Sequence, residues 1–495
     1  MLDWYDILGR QRFKGLFGNS LFGLKGCLMA EKTYRDYDPD QMFLLPPSLK
    51  DWIPTDHLVY FISDLVDLLD LSEISSVYEK EGRGYPPYNP RMMVKVLVYA
   101  YCIGVPSSRK IAKMLEENVP FRVLSANNTP DFRTISDFRK RHLGALKGLF
   151  VKVLKLCQKA GLVKLGHVAL DGTKVKANAS KHKAMSYGRM NAEEERLQKE
   201  IDAILKLAEN TDAQEDVEFG PDFRGDELPE ELRRRTSRLE KIRQAKAALE
   251  EEARSKAKLA EAEKQSENKS ACVSHADNDG DKPPGHNPTP PDKAQRNFTD
   301  PESRIMPAPG KSFIQGYNCQ AAVDAKSQVV VAEDVTQETN DKKQIEPMLE
   351  LVESNTGFKP KILSADSGYF SESNVLYAQG KGIDPYIPPD KQKHIERLKT
   401  CAPRGRIPKG LSVNELMRRK LRTKKGRRIY GKRKEVPEPV FGQVKQGRGF
   451  RQFLLRGLSK VRCEWSLICT TNNVLKLFAA GGLALIASWG GRPFA

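Results

Sequence analysis

Between residues 185 and 300 the chain changes character, and that break constrains the fold more than any other feature. Just before it, His167-Val-Ala-Leu-Asp171 is an apolar run bounded by Gly166 and Gly172, the pattern of a buried strand. A lone strand cannot satisfy its backbone groups, so its partners must lie elsewhere in the chain. They resume only after residue 300, at 316–324, 328–334 and 361–366. In between, Leu197, Ile201, Ile204 and Ala208 mark one helical stripe. Leu232, Leu239, Ile242, Leu249 and Ala253 mark a second, near heptad spacing, in a background of Ala, Glu, Lys and Arg. An Asp-, Gly- and Pro-containing loop separates the two. The expectation is an antiparallel coiled-coil hairpin inserted into a mixed α/β sheet. Residues 266–300 are rich in Asn, Asp, Gly and Pro, and read as flexible.

The rest divides by periodicity. Residues 34–160 read as helical. Asp56 is placed to cap a helix running to about residue 69, and Pro90 stands at the first position of another. Residues 107–115 and 136–142 form two short helices, the second basic. They fit a helix-turn-helix or, equally, a helical bundle with a charged face. The strands at 316–324 and 328–334 make a hairpin. A helix is expected at 342–353, and Ser371 caps another ending near Gly380. Tyr386-Ile-Pro reads as an edge strand, because proline cannot donate. Residues 439–477 read as helical.

Charge narrows the partner. The chain has 82 Lys+Arg against 64 Asp+Glu, a net charge of +18 and a pI near 9.4. Such a surface favours a polyanion. Residues 401–435 hold 14 Lys/Arg and 2 Glu, so 14 − 2 = +12 of net charge is concentrated there. The eight cysteines are scattered without a Cys-x-x-Cys, and the seven histidines lack metal-ligand spacing. Those spacings speak against zinc and against a disulfide framework. The apolar stretch 477–489 is too short to cross a membrane. The basic, aromatic first 28 residues lack a signal-peptide core, and Met29 reads as the translation start.

Two strands end in aspartate, at Asp171 and at Asp366. A carboxylate just past an apolar strand lies at the carboxyl edge of a sheet, where open α/β sheets place ligands. Neighbouring carboxylates there can share hard divalent cations, which take oxygen ligands, and a third acid on a helix would complete a two-metal phosphodiester site. The block Tyr430-Gly-Lys-Arg433-Lys-Glu435-Val-Pro-Glu438-Pro-Val-Phe-Gly-Gln-Val-Lys445 supplies one. Glu438 and Lys445 are seven apart, which on a continuous α-helix puts both on one face. Glu435 is the rival third acid. Asp324 and Asp334 read as turn or surface residues, Glu464 as a late helical residue that could face the site, and His167 and His182 as structural.

These motifs together resemble DDE insertion-sequence transposases bearing the Tyr-Arg-Glu-Lys signature. The resemblance runs from about residue 33 to 476. It rests on Leu-Asp171-Gly-Thr-Lys-Val-Lys, Gln315-Gly-Tyr-Asn-Cys-Gln, Ala365-Asp366-Ser-Gly-Tyr-Phe, Glu438-Pro-Val-Phe-Gly-Gln-Val-Lys445 and Arg448-Gly-Phe-Arg-Gln-Phe-Leu-Leu-Arg-Gly. It implies a ribonuclease H-like mixed-sheet catalytic domain (161–184 and 301–476) interrupted by the coiled-coil insertion (185–300). An all-α DNA-binding domain (34–160) precedes it, with a disordered extension at 1–33 and an atypical tail at 477–495. The implied catalytic and metal-binding residues are Asp171, Asp366 and Glu438, holding two Mg²⁺ or Mn²⁺. Tyr430, Arg433 and Lys445 would lie near DNA phosphates. Lys424, Lys425, Arg427, Arg428, Arg139, Lys140 and Arg141 are the further DNA-binding candidates. Expected partners are double-stranded DNA (terminal inverted repeats and target) and a second copy of the chain, in a bacterial cytoplasm at the nucleoid. The sequence departs from the pattern at Pro437, where such proteins usually carry an aliphatic residue. The alternative reading is a catalytically decayed or domesticated DNA-binding protein.

Overall fold

A computed structural model describes residues 48–79, 87–219, 230–270, 289–308, 312–390, 403, 405–408 and 410–489. The expected extension at 1–33, the suspected start at Met29 and the tip of the inserted hairpin lie outside these residues.

Helices dominate the first part: α1 (Leu58–Asp67), α2 (Ser72–Glu79), α3 (Pro90–Cys102), α4 (Ser108–Glu117), α5 (Val119–Ser125), α6 (Phe132–Arg141) and α7 (Leu143–Lys159). Pro90 opens α3 as expected, with the Asn89 side chain accepting from the Arg91 and Met92 amides. At α1 the cap is His57, one residue later than expected, and its ring accepts from the Val59 amide. The anticipated pair of short helices is really three, because α5 fills the segment between α4 and α6.

The sheet follows. Its strands are β1 (Val168–Lys176), β4 (Arg304–Ala308), β5 (Ser312–Asp324), β6 (Val330–Thr336), β7 (Ile362–Ser364) and β8 (Asp384–Tyr386). The order is β4-β5-β1-β7-β8, with β6 also paired to β5. β1, β5 and β6 are antiparallel neighbours, while β1, β7 and β8 run parallel. The hairpin 316–324/328–334 is present as β5–β6. β5 also reaches back to Ser312 and pairs there with β4, a strand not anticipated from sequence. β8 sits at the edge, where Pro385 is tolerated, and it ends at Tyr386, where the expected edge strand began. α10 (Ile345–Thr356) and α11 (Glu372–Gly380) connect the later strands, and Ser371 caps α11 as expected.

The insertion is closed at its base by β2 (Ala184–Ser186) and β3 (Gln295–Asn297), paired antiparallel. Residues 295–297 thus form a strand inside a stretch expected to be flexible; residues 271–288 of that stretch lie outside the described residues. α8 (Tyr187–Phe219) and α9 (Glu230–Ser270) pack side by side in opposite directions. Arg235–Glu200 and Arg243–Glu194 ion pairs run in reversed order along the two helices. Leu197, Ile201, Leu232, Leu239, Ile242 and Leu249, read from sequence as the stripes, form a small core separate from the main one.

The main core is continuous. It joins α1–α7, the sheet and a last helix, Leu458–Ala487. Trp465 on that helix is buried, and its indole N–H donates to the Gln320 carbonyl at 3.1 Å. The expected helix over 439–477 is interrupted: between Arg448 and Gly457 the chain crosses the end of β1, where Lys176 bridges to Gln452. Among the described residues no helix is long and apolar enough to cross a membrane.

Candidate active site

The parallel register of β1 and β7 sets the site. Val168 pairs with Leu363 and Ala169 with Ser364, so the same register continued past the end of β7 brings Asp366 level with Asp171. β7 ends at Ser364, and the Asp366 carboxylate caps the turn that follows by accepting from the Gly368 amide at 2.8 Å. Asp171 accepts from the Gly172 amide at 2.9 Å. Burial, together with the nearby Asp366 and Asp341, raises the Asp171 carboxyl from its ordinary value to about 6, against the opposing pull of Arg433. The Arg433 Nη1 lies 3.7 Å from Asp171 Oδ1, and Nη1 is buried without a hydrogen-bond partner. A cation already leans on the acid, and the donor set is all oxygen. That chemistry suits a hard divalent ion.

Asp341 is a residue the sequence reading missed. Its Oδ1 accepts from the Asn318 side-chain amide at 2.7 Å and the Gln320 side-chain amide at 2.8 Å. Tyr369 donates its hydroxyl to Gln320, and its own ionisation is pushed far up by burial and by Asp341, Asp171 and Asp366. A Cβ built on Gly172 would stand 2.8 Å from Gln320 Nε2 and 3.1 Å from both Asp341 Oδ1 and the Tyr369 hydroxyl. The glycines of the Asp171-Gly and Asp366-Ser-Gly motifs therefore leave room for Asp341: its Oδ2 is 3.5 Å from a Cβ built on Gly368. The Tyr-Asn-Cys-Gln motif held the signal, since Asn318 and Gln320 alternate onto one face of β5.

Glu438 lies in the first turn of a short helix, Pro437–Gly442, which packs against β1 and β5, and its side chain is exposed. Glu435 is exposed too; its carbonyl accepts from Gln328 at 2.9 Å. Among the described residues, no group of three or more His, Cys, Asp or Glu side chains is gathered so as to hold a metal ion. The structure thus sets Asp171, Asp366 and Asp341 near one another, while Glu438 is exposed on its short helix. The single-face alignment of Glu438 and Lys445 also fails. After Gly442 the helix widens into a π turn, Gln443–Gly447, which breaks the 3.6-residue period. Lys445 instead donates to the Lys174 carbonyl of β1 at 2.8 Å.

Within the basic run, residues 413–435 form two helices, Val413–Arg422 and Lys424–Glu435, the first opened by a Ser412–Glu415 capping box. The second packs against β7 and β8, beside the strand that leads to Asp366. Lys424, Lys425, Arg427 and Arg428 are exposed on it, Tyr430 is half-buried, and Lys425 lies 3.9 Å from Asp384. In α6, Lys140 and Arg141 are exposed, but Arg139 is not on the surface as expected. It is 5% exposed, and its guanidinium donates to the Tyr101 hydroxyl at 3.1 Å and the Pro106 carbonyl at 2.9 Å. Glu464 does not face the site: it is buried and accepts from the Leu454 and Leu455 amides. Asp324 is a turn residue, though buried rather than on the surface, accepting from Leu165 and Lys326 amides. His167 makes a structural contact with the Ser364 hydroxyl at 2.8 Å.

Compared with known families, residues 47–141 match the Transposase domain (DUF772) and residues 286–474 match the Transposase DDE domain. No curated protein and no solved structure matches the chain.

Proposed function

The chain belongs to the insertion-sequence DDE transposases, and from that premise we propose that it cuts and joins DNA at Asp171, Asp366 and Glu438 on a ribonuclease H-like sheet. The observation that carries this reading is the parallel register of β1 and β7, which, continued two residues past the end of β7, sets Asp366 beside Asp171. The strand order, with antiparallel β6-β5-β1 followed by parallel β7-β8, supports the ribonuclease H-like assignment. Asp171 and Asp366 are the residues that would hold Mg²⁺ or Mn²⁺. Glu438 would join them by an inward movement of the Pro437–Gly442 helix. Bound there, two such ions supply polarisation of the attacking oxygen and neutralisation of the leaving one.

The protein's own groups do the rest. Arg433 balances the acids while DNA is absent, and its guanidinium suits a phosphate once the strand enters. Lys445 and Tyr430 flank the strand, and the exposed cations of the Lys424–Glu435 helix hold backbone phosphates by counterion release. In-line displacement needs positioning and charge neutralisation more than a proton shuttle, so no histidine is required. Joining requires that two element ends meet, so we place the active form as a dimer or larger assembly on DNA, in the cytoplasm at the nucleoid.

The test incubates purified chain with Mg²⁺ and duplexes carrying the terminal inverted repeats that bracket its gene. Wild type should nick at the repeat end and leave a 3′-OH. Asp171→Asn and Glu438→Gln should lose that product while still retarding the duplex on a gel. Normal cutting by Glu438→Gln alongside inactive Glu435→Gln would move the third acid to Glu435. Metal-independent binding with no cutting by wild type would leave only the DNA-binding alternative.

A further inference from the structure

The block 448–457 carries part of the family resemblance, yet none of it belongs to the acid site. Most of it is explained by folding. Phe450, Phe453 and Leu455 are buried, and Arg448 is buried with its guanidinium on Thr471. The Lys176 amide donates to the Arg451 carbonyl at 3.2 Å, and the Phe453 amide to the Lys176 carbonyl at 2.9 Å, so the segment lies along the end of β1. The side-chain amides of Asn178 and Gln452 add bonds to the Leu454 and Ala177 carbonyls. Arg451 and Arg456 take no part in that packing, and both side chains are exposed.

Their guanidinium groups are nevertheless held in place. Nε of Arg451 donates to the Lys445 carbonyl at 3.1 Å, and its Nη2 donates to the Gln446 side chain. Nε of Arg456 donates to the Asn178 carbonyl at 3.0 Å. Fixing a long exposed side chain costs rotamer entropy, and a segment already bonded to β1 at Lys176, Ala177 and Asn178 gains little from two more tethers. The tethers do hold two planar forks of donors at the surface, the shape that suits a phosphate. Three acids approach this stretch, each through backbone amides: Asp300 accepts from Gly457, Glu302 from Leu458, and Glu464 from Leu454 and Leu455.

The charge pattern points the same way. Residues 172–192 contain no Asp or Glu, and neither do residues 439–463, although 64 of the 495 residues are acidic. The Lys176–Gln452 bridge lays these two acid-free stretches side by side. Lys176, Lys181 and Lys183 on the first are exposed, as is Lys460 on the second. Such a surface attracts a polyanion and repels an acidic partner. Lys176 stands five residues beyond Asp171 on β1, about 17 Å at the rise of a strand. That is about five base-pair steps at roughly 3.4 Å each, so one duplex spans both.

We propose that Arg451 and Arg456 grip backbone phosphates of the duplex whose end lies at Asp171. This rests on the DNA-processing reading above. Phosphate contacts position a duplex without reading it, so DNA of arbitrary sequence is a sufficient probe.

Binding of the full chain to a 40-base-pair duplex of arbitrary sequence is measured in Mg²⁺-free buffer across salt concentrations. Arg451→Ala/Arg456→Ala should weaken binding and flatten the slope of log affinity against log salt by about 1.8, roughly 0.9 per lost phosphate contact. Arg254→Ala/Lys258→Ala removes the same charge from exposed positions on α9 and should leave the slope unchanged. Melting temperatures of both variants should match wild type. Should the alanine pair melt early, Arg451→Gln/Arg456→Gln keeps an amide for the two carbonyls, loses the charge and gives the same reading. An unchanged slope in the folded arginine variant, or an equal fall in the control, overturns the site. So does a fall seen with single-stranded RNA of the same length but not with the duplex. Because binding is read without metal, the two readings fail separately. A flattened slope with no cleavage by wild type sinks the catalytic proposal alone; an unchanged slope with intact cleavage sinks this one alone.

Discussion

Asp341 is held by two carboxamides and faces the glycines that follow both strand-end aspartates, so it acts on the site through its neighbours. Groups that orient metal-binding acids typically matter 10–100-fold. Asp341→Asn keeps the shape but turns one acceptor into a donor facing Asn318 and Gln320. Cleavage of repeat-end DNA should fall by about 10–100-fold, with duplex affinity in Mg²⁺-free buffer unaltered. Unimpaired cleavage would remove Asp341 from the site. Gly172→Ala meets a harder obstacle, because its new Cβ would stand 2.8 Å from Gln320 Nε2. Crowding of this kind costs about 1–3 kcal/mol, so the variant should melt earlier and cut poorly, and a melt matching wild type would show that the wall yields. Asp171 and Asp366 were legible because apolar runs ending in aspartate are local signals. Asp341 was not, for it stands in a polar loop five residues past the end of β6 and is recruited only when β5 brings Asn318 and Gln320 alongside. Arg139 was misread for a different reason. Ile135, Phe138, Arg139 and His142 fall at the i, i+3, i+4, i+7 spacing of the buried stripe of α6. The neighbouring Lys140 and Arg141 made the run look uniformly exposed.

At the level of elements, long periodic segments were readable and short ones were not. The paired helices α8 and α9 announce themselves over many turns. β2, β3 and β4 are three to five residues long, and tertiary pairing rather than composition makes them strands. The π turn at Gln443–Gly447 likewise has no local code; Arg448, buried with its guanidinium on Thr471 at 2.7 Å, pins the chain just beyond it. β6 carries a further departure from pattern, because Glu333 is buried beneath the Leu458–Ala487 helix. Burial raises its carboxyl from 4.5 to about 7, with Lys147 and the Ser466 hydroxyl opposing. The folded protein therefore holds a proton there that the unfolded chain releases. Stability from this group is full below about pH 4.5 and is lost as pH rises to about 7. Glu333→Gln should consequently match wild type near pH 4 and exceed it above pH 7, by an amount on the order of 3 kcal/mol. Urea titrations at the two pH values measure the gap, and a gap independent of pH would mean that folding does not shift the Glu333 carboxyl.

Across the whole molecule, helices α1–α7 and the sheet do not bury separate interiors. The Leu458–Ala487 helix lies between them and belongs to both. Its Asn473 accepts from the Val330 amide at 2.9 Å and donates to the Val330 carbonyl at 2.8 Å. On the other side, Cys157 of α7 meets the Asn473 carbonyl and Cys102 of α3 meets that of Thr471. The hairpin, by contrast, buries its own small cluster apart from this core. Two cooperative units follow. Calorimetry of the intact chain should resolve one transition for the hairpin and one for everything else described. Asn473→Ala strands the Val330 amide and carbonyl in a dry interior, each unpaired group costing about 1–3 kcal/mol. It should lower only the larger transition, and it should do so for both sides of the helix at once. Hydrogen exchange read by mass spectrometry distinguishes the cases: amides of α3 and α7 should lose protection together with those of β5 and β6, while α8 and α9 keep theirs. If α1–α7 opened while the sheet stayed protected, the shared interior would be two.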